Sequence, residues 1–197
     1  IFLELIEKLK TKVFNDSISA GMKDDDIHLK DKGTGAKAYS ETIATYLSLA
    51  LSQYTRYHAT TAIWNTKNIN VAHTFGRQAL PMTWDYAESN PFEGSLTFET
   101  AAKWVASSIK NLNFSGNGKC YQSNASEILN TECISNNHYI ISTDPPYYDN
   151  VPYADLADFF YVWLRPSVSK IFPELFKTLL TPKAEELVAD SFRHDNK

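Results

Sequence analysis

The order of apolar and polar positions along the first half of the chain predicts helices. Residues 1–14 carry apolar side chains about one helical turn apart, with Lys and Glu between them. The stretch 38–61 repeats apolar and aromatic residues three and four apart, and 97–112 does the same behind Thr97, a residue type that caps helix N-termini. We therefore predict three helices, the third of which buries one stripe: Ala101, Trp104, Val105, Ser108 and Ile109.

A polar segment, 15–37, separates the first two predicted helices. It contains several glycines and the acidic run Asp24-Asp25-Asp26, and it has little periodicity. We predict a long loop, a kind of segment that often carries function. The acidic run lacks the spaced oxygen ligands of a calcium loop, so we interpret it as a solvated acidic turn.

The pattern changes after the turn "NFSGNGK". Short runs rich in Tyr, Ile and Cys at 119–122 and 138–142 predict two strands, and a short helix is predicted between them at 126–129. Alternation of strand and helix is typical of a parallel sheet. We therefore predict an α/β fold with a mainly helical region at 1–117 and an α/β region at 118–197.

The last third of the chain predicts more helix. The stretch 153–164 is almost entirely apolar and aromatic, with Asp155 and Asp158 near its start, where they suit the positive end of the helix dipole. Pro166 is predicted to end this helix. Two further helices are predicted at 170–180 and 182–192. The aromatic residues of 153–164 are interpreted as core, except Tyr153 at the leading end.

Composition limits the possible functions. A chain of 197 residues with 43% hydrophobic residues can bury a core, and a net charge of -4 argues against nucleic-acid binding by bulk charge alone. Cys120 and Cys133 are too few for a zinc ribbon or a disulfide framework, so we predict no metal and a cytoplasmic protein. Apolar runs stay shorter than the roughly 20 residues that span a bilayer, which predicts no membrane partner. The opening Ile1 indicates a chain that starts inside a longer protein.

The stretch "STDPPYYDN", residues 142–150, combines an acid, two prolines and two tyrosines directly after a predicted strand. Ligands of open parallel sheets bind beyond the carboxyl ends of strands, where Asp144 is expected. The prolines fix their φ angles and remove donors, so the Asp144 carboxylate and a neighbouring carbonyl form a rigid pair of acceptors. This pair matches an amino group with two N–H bonds, and Tyr147 offers a ring for stacking a nucleobase. The alternative is a rigid turn without a ligand.

This motif is similar to the Asp-Pro-Pro-Tyr hallmark of amino-methyltransferases. Three blocks, "GTGAKAYSE" from Gly33, "FGRQALPMTWDYAESNPF" from Phe75 and "TDPPYYDNVPYADLADFFYVWLRPSV" from Thr143, resemble the adenine-specific DNA methylases that carry a DUF1156 region. Together the blocks lie within residues 33–168. The resemblance implies part of a Rossmann-like S-adenosylmethionine-dependent methyltransferase sheet with a helical N-terminal half.

The resemblance also implies an activity, a cofactor and a partner: methyl transfer from S-adenosylmethionine to N6 of adenine in DNA. A flipped base would be held and stacked by the motif. The implied catalytic residues are Asp144, Pro145, Pro146 and Tyr147. The implied substrate-binding residues are Tyr147, Tyr148 and Tyr153, and the implied cofactor-binding residues are Ser123, Asn124 and Asp144. Restriction or phage-defence proteins are possible partners.

The resemblance is incomplete at the glycine-rich loop that usually holds the cofactor, of the form Phe-x-Gly-x-Gly. Gly33-Thr34-Gly35 lacks the phenylalanine of that form. Phe114-Ser115-Gly116-Asn117-Gly118 has its letters, but it follows a predicted helix and not a convincing strand. The alternatives are therefore a truncated or non-catalytic module that binds a nucleobase or DNA, and an N4-cytosine methyltransferase. A glycine-rich loop upstream of Ile1 would favour the enzyme.

The block "FGRQALPMTWDY" leaves two interpretations open. Arg77, Trp84 and Asp85 would contact DNA or shape the target pocket in the first. In the second, the block is a buried tight turn that docks one helix on the sheet.

Overall fold

The computed structural model describes residues 1–84, 87–112 and 140–189, together with residues 118, 120, 122 and 124. Over these residues the chain forms four α-helices: α1 (Phe2–Ser19), α2 (Ala36–Thr55), α3 (Phe98–Lys110) and α4 (Tyr153–Val168). Short 3-10 turns lie at Leu29–Asp31 and Pro173–Phe176. Within the same residues the only strands are β1 (Trp64–Asn65) and β2 (Asn70–Val71), an antiparallel hairpin with Trp64 opposite Val71.

Helix α2 is the centre of the fold, because α1, α3 and α4 all pack on it. The buried residues that meet there are Ile6, Ala44, Ala50, Leu51, Tyr54, Ala101 and Ile171. The ring of Phe2 lies 4.9 Å from Tyr54 and 5.1 Å from Phe98, centre to centre. Burial of one side chain of the size of Ile6 stabilises such a core by roughly 2 kcal/mol.

The three helices predicted in the first half are confirmed, but the stripe predicted for the third is only partly buried. The Thr97 hydroxyl accepts the N–H of Thr100 at 3.1 Å and so caps α3. Ala101 is buried and Val105 is half-buried, whereas Trp104, Ser108 and Ile109 are exposed. Beyond Val105 the two helices are separated by an open groove of about 470 Å³, which is lined by Trp104, Ser108 and Ile109 on the α3 side. No described residue fills this groove, so these side chains stay exposed.

The predicted end of α4 at Pro166 is wrong, since the helix continues to Val168. Proline removes one backbone donor, which weakens a helix most in its interior and less in its last turn. Here the Ser167 hydroxyl donates to the carbonyl oxygens of Trp163 and Leu164, at 2.8 and 3.0 Å. These side-chain bonds support the last turn.

The helices predicted at 170–180 and 182–192 are also wrong over the described residues. Only Pro173–Phe176 forms a 3-10 turn, and 181–189 is irregular; residues 190–192 lie outside the described part. The backbone donors of this segment bond elsewhere in the fold: Thr181 N–H reaches the Asp158 carboxylate and Ala189 N–H reaches the Tyr148 carbonyl. These tertiary hydrogen bonds replace the local bonds that a helix would make.

The predicted strand 138–142 is not found at 140–142, where the backbone has no regular structure. Ile140 is 99% exposed and Ile141 is 70% exposed, so no other described segment covers this stretch. Residues 138–139, the predicted helix 126–129 and half of 119–122 lie outside the described part. The described residues show a mixed, mainly helical structure with a small two-stranded sheet, which is compatible with the α/β class. A Rossmann-like sheet and the division between 117 and 118 stay predictions.

None of the described helices combines the length and the apolar character that crossing a bilayer requires.

Candidate functional site

The Asp-Pro-Pro-Tyr motif lies in an exposed segment without regular structure that leads into α4. Asp144 is exposed, and the Tyr147 side chain is 61% exposed. No other described residue donates a hydrogen bond to the Asp144 carboxylate or to the Pro145 carbonyl oxygen. Both acceptors of the predicted pair therefore lie in residues exposed to solvent.

A tight turn follows the motif. The N–H of Tyr148 donates to the Pro146 carbonyl at 3.0 Å, and the N–H of Asn150 donates to the Tyr147 carbonyl at 3.1 Å. Tyr148 has a φ of 54°, in the left-handed region that a bulky residue rarely adopts. Such a conformation costs on the order of 1–3 kcal/mol and persists only where neighbouring contacts fix it. Here the Tyr148 carbonyl accepts the N–H of Ala189 at 3.0 Å.

A cleft of about 630 Å³ lies beside the start of α4. Its volume falls within the range of about 300–1,000 Å³ typical of small-molecule sites. The cleft is lined by Gln122, Asn124, Tyr153, Ala154, Ala157, Thr181, Pro182, Glu185, Glu186 and Leu187. The structure thus brings together Asn124 and Tyr153, which were predicted to bind cofactor and substrate. The residues of Asp144–Tyr148 do not line this cleft, and Ser123 lies outside the described residues.

Residues 178–189, called the strap below, run back along α4 and form one wall of the cleft. The Tyr161 hydroxyl donates to the Thr178 carbonyl at 2.7 Å. At the other end, the Glu186 carboxylate accepts the N–H of Ala154 at 2.8 Å. Because the first N–H groups of a helix have no partner within it, this carboxylate supplies one and also suits the helix dipole.

Asp158 is the main acceptor for the strap in α4. Its Oδ1 accepts the N–H and the hydroxyl of Thr181, at 2.8 and 2.6 Å, and its Oδ2 accepts from the Lys183 ammonium. Burial alone would raise the pKa of Asp158, but the hydrogen bonds from Lys183 and then from Thr181 hold the pKa below its ordinary value. The carboxylate is therefore an anion at neutral pH. Sequence reasoning missed this role, because it assigned 182–192 to a helix.

The block "FGRQALPMTWDY" divides between the two interpretations left open. The ring of Phe75 packs against Phe159 and Phe160 of α4, at 5.2 and 5.3 Å between ring centres. Trp84, by contrast, is 92% exposed, and Arg77 is exposed as well. The start of the block thus packs on α4, but its described residues do not form a buried turn that docks a helix on a sheet, so neither interpretation is confirmed. Asp85 lies outside the described residues.

The acidic run is exposed, yet its side chains bond to the start of α2. Asp24 Oδ1 accepts the N–H of Lys37 at 3.0 Å, and Asp26 pairs with the Lys37 ammonium at 2.8 Å. Asp25 accepts the N–H of Thr34 at 2.8 Å and that of Ile27 at 3.1 Å. These two backbone donors, Thr34 first, hold the pKa of Asp25 below its usual range. The acidic run is therefore exposed to solvent, as predicted, and its side chains also hold the loop to the start of α2.

Glycine is required for this closure. A Cβ atom on Gly33 would lie 2.1 Å from the Ile27 carbonyl oxygen, and one on Gly35 would lie 2.5 Å from the Asp25 nitrogen. The signal in the sequence is a pair of glycines two apart, directly before a helix and opposite a run of short acceptors. The block "GTGAKAYSE" thus has a structural explanation in this fold.

Among the described residues, no three His, Cys, Asp or Glu side chains are grouped closely enough to hold a metal ion. Comparisons with protein-family models, with curated proteins and with solved structures found no match for this chain.

Proposed function

We propose that this protein is a DNA amino-methyltransferase that transfers a methyl group from S-adenosylmethionine to N6 of adenine. The observation that carries the proposal is the pair of open acceptors, the Asp144 carboxylate and the Pro145 carbonyl, beside the exposed ring of Tyr147. The resemblance of three sequence blocks to adenine-specific DNA methylases supports it. It further implies that the segment carrying Asp144 belongs to a Rossmann-like sheet.

The chemistry requires little base strength from the protein. The obstacle is that the lone pair of the adenine amino nitrogen is delocalised into the ring. Two acceptors placed on its two hydrogens favour a more tetrahedral nitrogen and orient its lone pair, while stacking on Tyr147 holds the flipped base. S-adenosylmethionine would supply the methyl group, with the S–C bond breaking as the N–C bond forms and S-adenosylhomocysteine leaving as a neutral thioether. The Asp144 carboxylate would take the proton that the nitrogen loses and release it to solvent.

The cleft beside α4 fits the cofactor better than it fits DNA. S-adenosylmethionine supplies the methyl group from a positively charged sulfonium and also carries an ammonium group. The described lining contains the carboxylates of Glu185 and Glu186 and no Lys or Arg, which disfavours a phosphate backbone. Asn124 and Tyr153 add an amide and a ring for an adenine moiety. We assign the cofactor to this cleft and the flipped base to the Asp144–Tyr147 side.

One observation favours a second candidate, a module that binds a nucleobase without catalysis. Gly33 and Gly35 are in close contact with the acidic loop, and the one stretch with the letters Phe-x-Gly-x-Gly, residues 114–118, follows helix α3 in the sequence instead of a strand. The two candidates differ in cofactor binding. Titration calorimetry of the full-length protein with S-adenosylmethionine separates them, because only the enzyme binds it.

The test of the catalytic role is Asp144→Ala in the full-length protein. We expect methyl transfer to fall by about 100-fold or more, as for the loss of one acceptor or donor at a transition state. Cofactor affinity should change by less than about twofold, since Asp144 lies outside the cleft lining. Asp149→Ala, an exposed aspartate in the following turn, is the matched control. Transfer of tritiated methyl to DNA by Asp144→Ala at the wild-type rate would refute the role.

A further inference from the structure

The strap connects the body of α4 to the turn after the Asp-Pro-Pro-Tyr motif. In the middle of α4, Asp158 binds Thr181 and Lys183 of the strap. At the far end, the N–H of Ala189 donates to the carbonyl of Tyr148, one residue beyond the motif. Asp158 is therefore linked to the motif through a continuous segment of backbone that is bonded at both ends.

We propose that the strap sets the conformation of the Asp144–Tyr148 segment, and that Asp158 is the positioning residue that holds the strap. The inference rests on the proposed function for the chemical role of Asp144 and Tyr147. It adds a residue outside the motif to the catalytic arrangement. Asp158 contacts neither base nor cofactor in this account, and it acts through Thr181 and Lys183.

Ala154 and Tyr161 of α4 also bond to the strap, and the Thr181 hydroxyl lies 2.7 Å from the Ala154 carbonyl as well. Asp158 nevertheless makes the charged contacts with the middle of the strap. Both of its carboxylate oxygens are used, and its side chain is only 21% exposed. Its charge strengthens each of these hydrogen bonds. The neighbouring Asp155 does not replace it, because its Oδ1 lies 4.0 Å from the Lys183 nitrogen, beyond hydrogen-bond distance.

The turn at the other end needs such support. Tyr148 holds a left-handed backbone conformation at a φ of 54°. Residues in such regions keep their conformation only where the surrounding structure fixes them. Within the described residues, the Ala189 N–H is the backbone donor to the Tyr148 carbonyl from outside the turn. Release of the strap is therefore expected to free Tyr148, and with it the ring of Tyr147.

Hydrogen exchange of the full-length protein tests the inference without relying on activity. The variant is Asp158→Ala, because alanine keeps α4 intact and removes the bonds that Asp158 makes to Thr181 and Lys183, while Tyr161 and Ala154 still bond to the strap. We expect exchange of the Thr181, Ala189 and Asn150 amides to accelerate on the order of tenfold, as local opening becomes easier. Asp16→Ala is the matched control, since it removes a helical aspartate paired with Lys12 far from the strap. Faster exchange at Thr181 and Ala189 with an unchanged rate at Asn150 would overturn the inference.

Two further measurements keep the test decisive. The amide of Leu51, in the core of α2, reports global opening. If Asp158→Ala accelerates Leu51 as well, Asp158→Asn decides by the same criterion, because it keeps the side-chain volume and removes the charge that strengthens the bonds from Thr181 and Lys183.

Kinetics then separates a positioning role from a structural one. We expect kcat of Asp158→Ala to fall about tenfold with the KM for cofactor within about twofold, as for a misplaced catalytic group. An unchanged kcat together with accelerated exchange at Asn150 would show that the turn does not need the strap for catalysis. If the wild-type protein does not methylate DNA, the proposed function fails, and the exchange experiment still tests the strap.

Discussion

Two loops of this molecule contain similar residues and use them differently. The loop before α2 carries Asp24-Asp25-Asp26 and two glycines, and described backbone or lysine donors reach each of these aspartates. The segment before α4 carries Asp144 and two prolines, and no described residue donates to that carboxylate. The two glycines and the Asp144 segment lie in blocks that resemble DNA methylases, whereas Asp24-Asp25-Asp26 lies outside them. In the first loop the aspartates hold the loop to the start of α2, because donors lie within hydrogen-bond distance. In the second segment the Asp144 carboxylate has no described donor and is exposed to solvent.

We expect the largest effect on stability from Gly33→Ala. In Gly33→Ala the new Cβ would lie 2.1 Å from the Ile27 carbonyl oxygen, a backbone atom that cannot turn away. We expect a loss of about 2–3 kcal/mol in the free energy of unfolding, typical of overpacking, measured by urea denaturation. Gly118→Ala is the control, since no described residue lies within 4 Å of the Cβ that alanine would add there. Equal stabilities of the two variants would contradict the structural role of this loop.

We expect a smaller effect on the free energy of unfolding when the pH is lowered and Asp25 takes up a proton. The pKa of Asp25 in the folded state lies below its ordinary value because the N–H groups of Thr34 and then Ile27 donate hydrogen bonds to its anion. The folded state therefore takes up this proton less readily than the unfolded chain. The stabilisation is present above the unfolded pKa and is lost as pH falls through the lowered folded pKa.

The measurement is the free energy of unfolding of the wild type and of Asp25→Asn between pH 2 and 6, a range that brackets ordinary carboxyl pKa values of about 4. The wild type should lose stability more steeply than the variant below about pH 4. If the two proteins lose stability in parallel, the Asp25 carboxylate does not stabilise the folded state. The first loop would then not differ from the Asp144 segment in this respect.

The smallest effect on stability, and a large one on binding, is expected at Tyr147. Its side chain is 61% exposed, so Tyr147→Ala should change the free energy of unfolding by less than about 0.5 kcal/mol. Loss of a stacking ring should weaken binding of adenine-containing DNA by about 1–3 kcal/mol, measured by fluorescence anisotropy. Phe92→Ala, another exposed aromatic, serves as control. If Tyr147→Ala lowers the free energy of unfolding but keeps its affinity for DNA, the segment before α4 has a structural role and not a binding role, and the contrast between the two loops fails.

The sequence predicted the parts of the fold that depend on local pattern. Helices α1 to α3 follow from apolar spacing, and the cap at Thr97 follows from its residue type. The strap could not be predicted in this way, because its donors bond to Asp158 and Tyr148, which are distant in sequence. An apolar run such as 170–180 looks helical when those tertiary bonds are unknown.

Of the candidate site, the sequence predicted the exposed Asp144–Tyr147 turn but not the cleft beside α4. The prolines indicated a stiff, exposed turn, and Asp144 and Tyr147 are exposed. The common cleft of Asn124 and Tyr153 depends on how the strap packs along α4, which no spacing in the sequence encodes. The strained backbone at Tyr148 was equally invisible, since tyrosine carries no preference for a positive φ.

The most direct test is mass spectrometry of nucleosides from DNA incubated with S-adenosylmethionine and the full-length protein, in parallel with Asp144→Ala. The account predicts N6-methyladenine with the wild type and little or none with the variant. A full-length protein that binds both cofactor and DNA but forms no N6-methyladenine would contradict it, as would equal amounts from the two proteins.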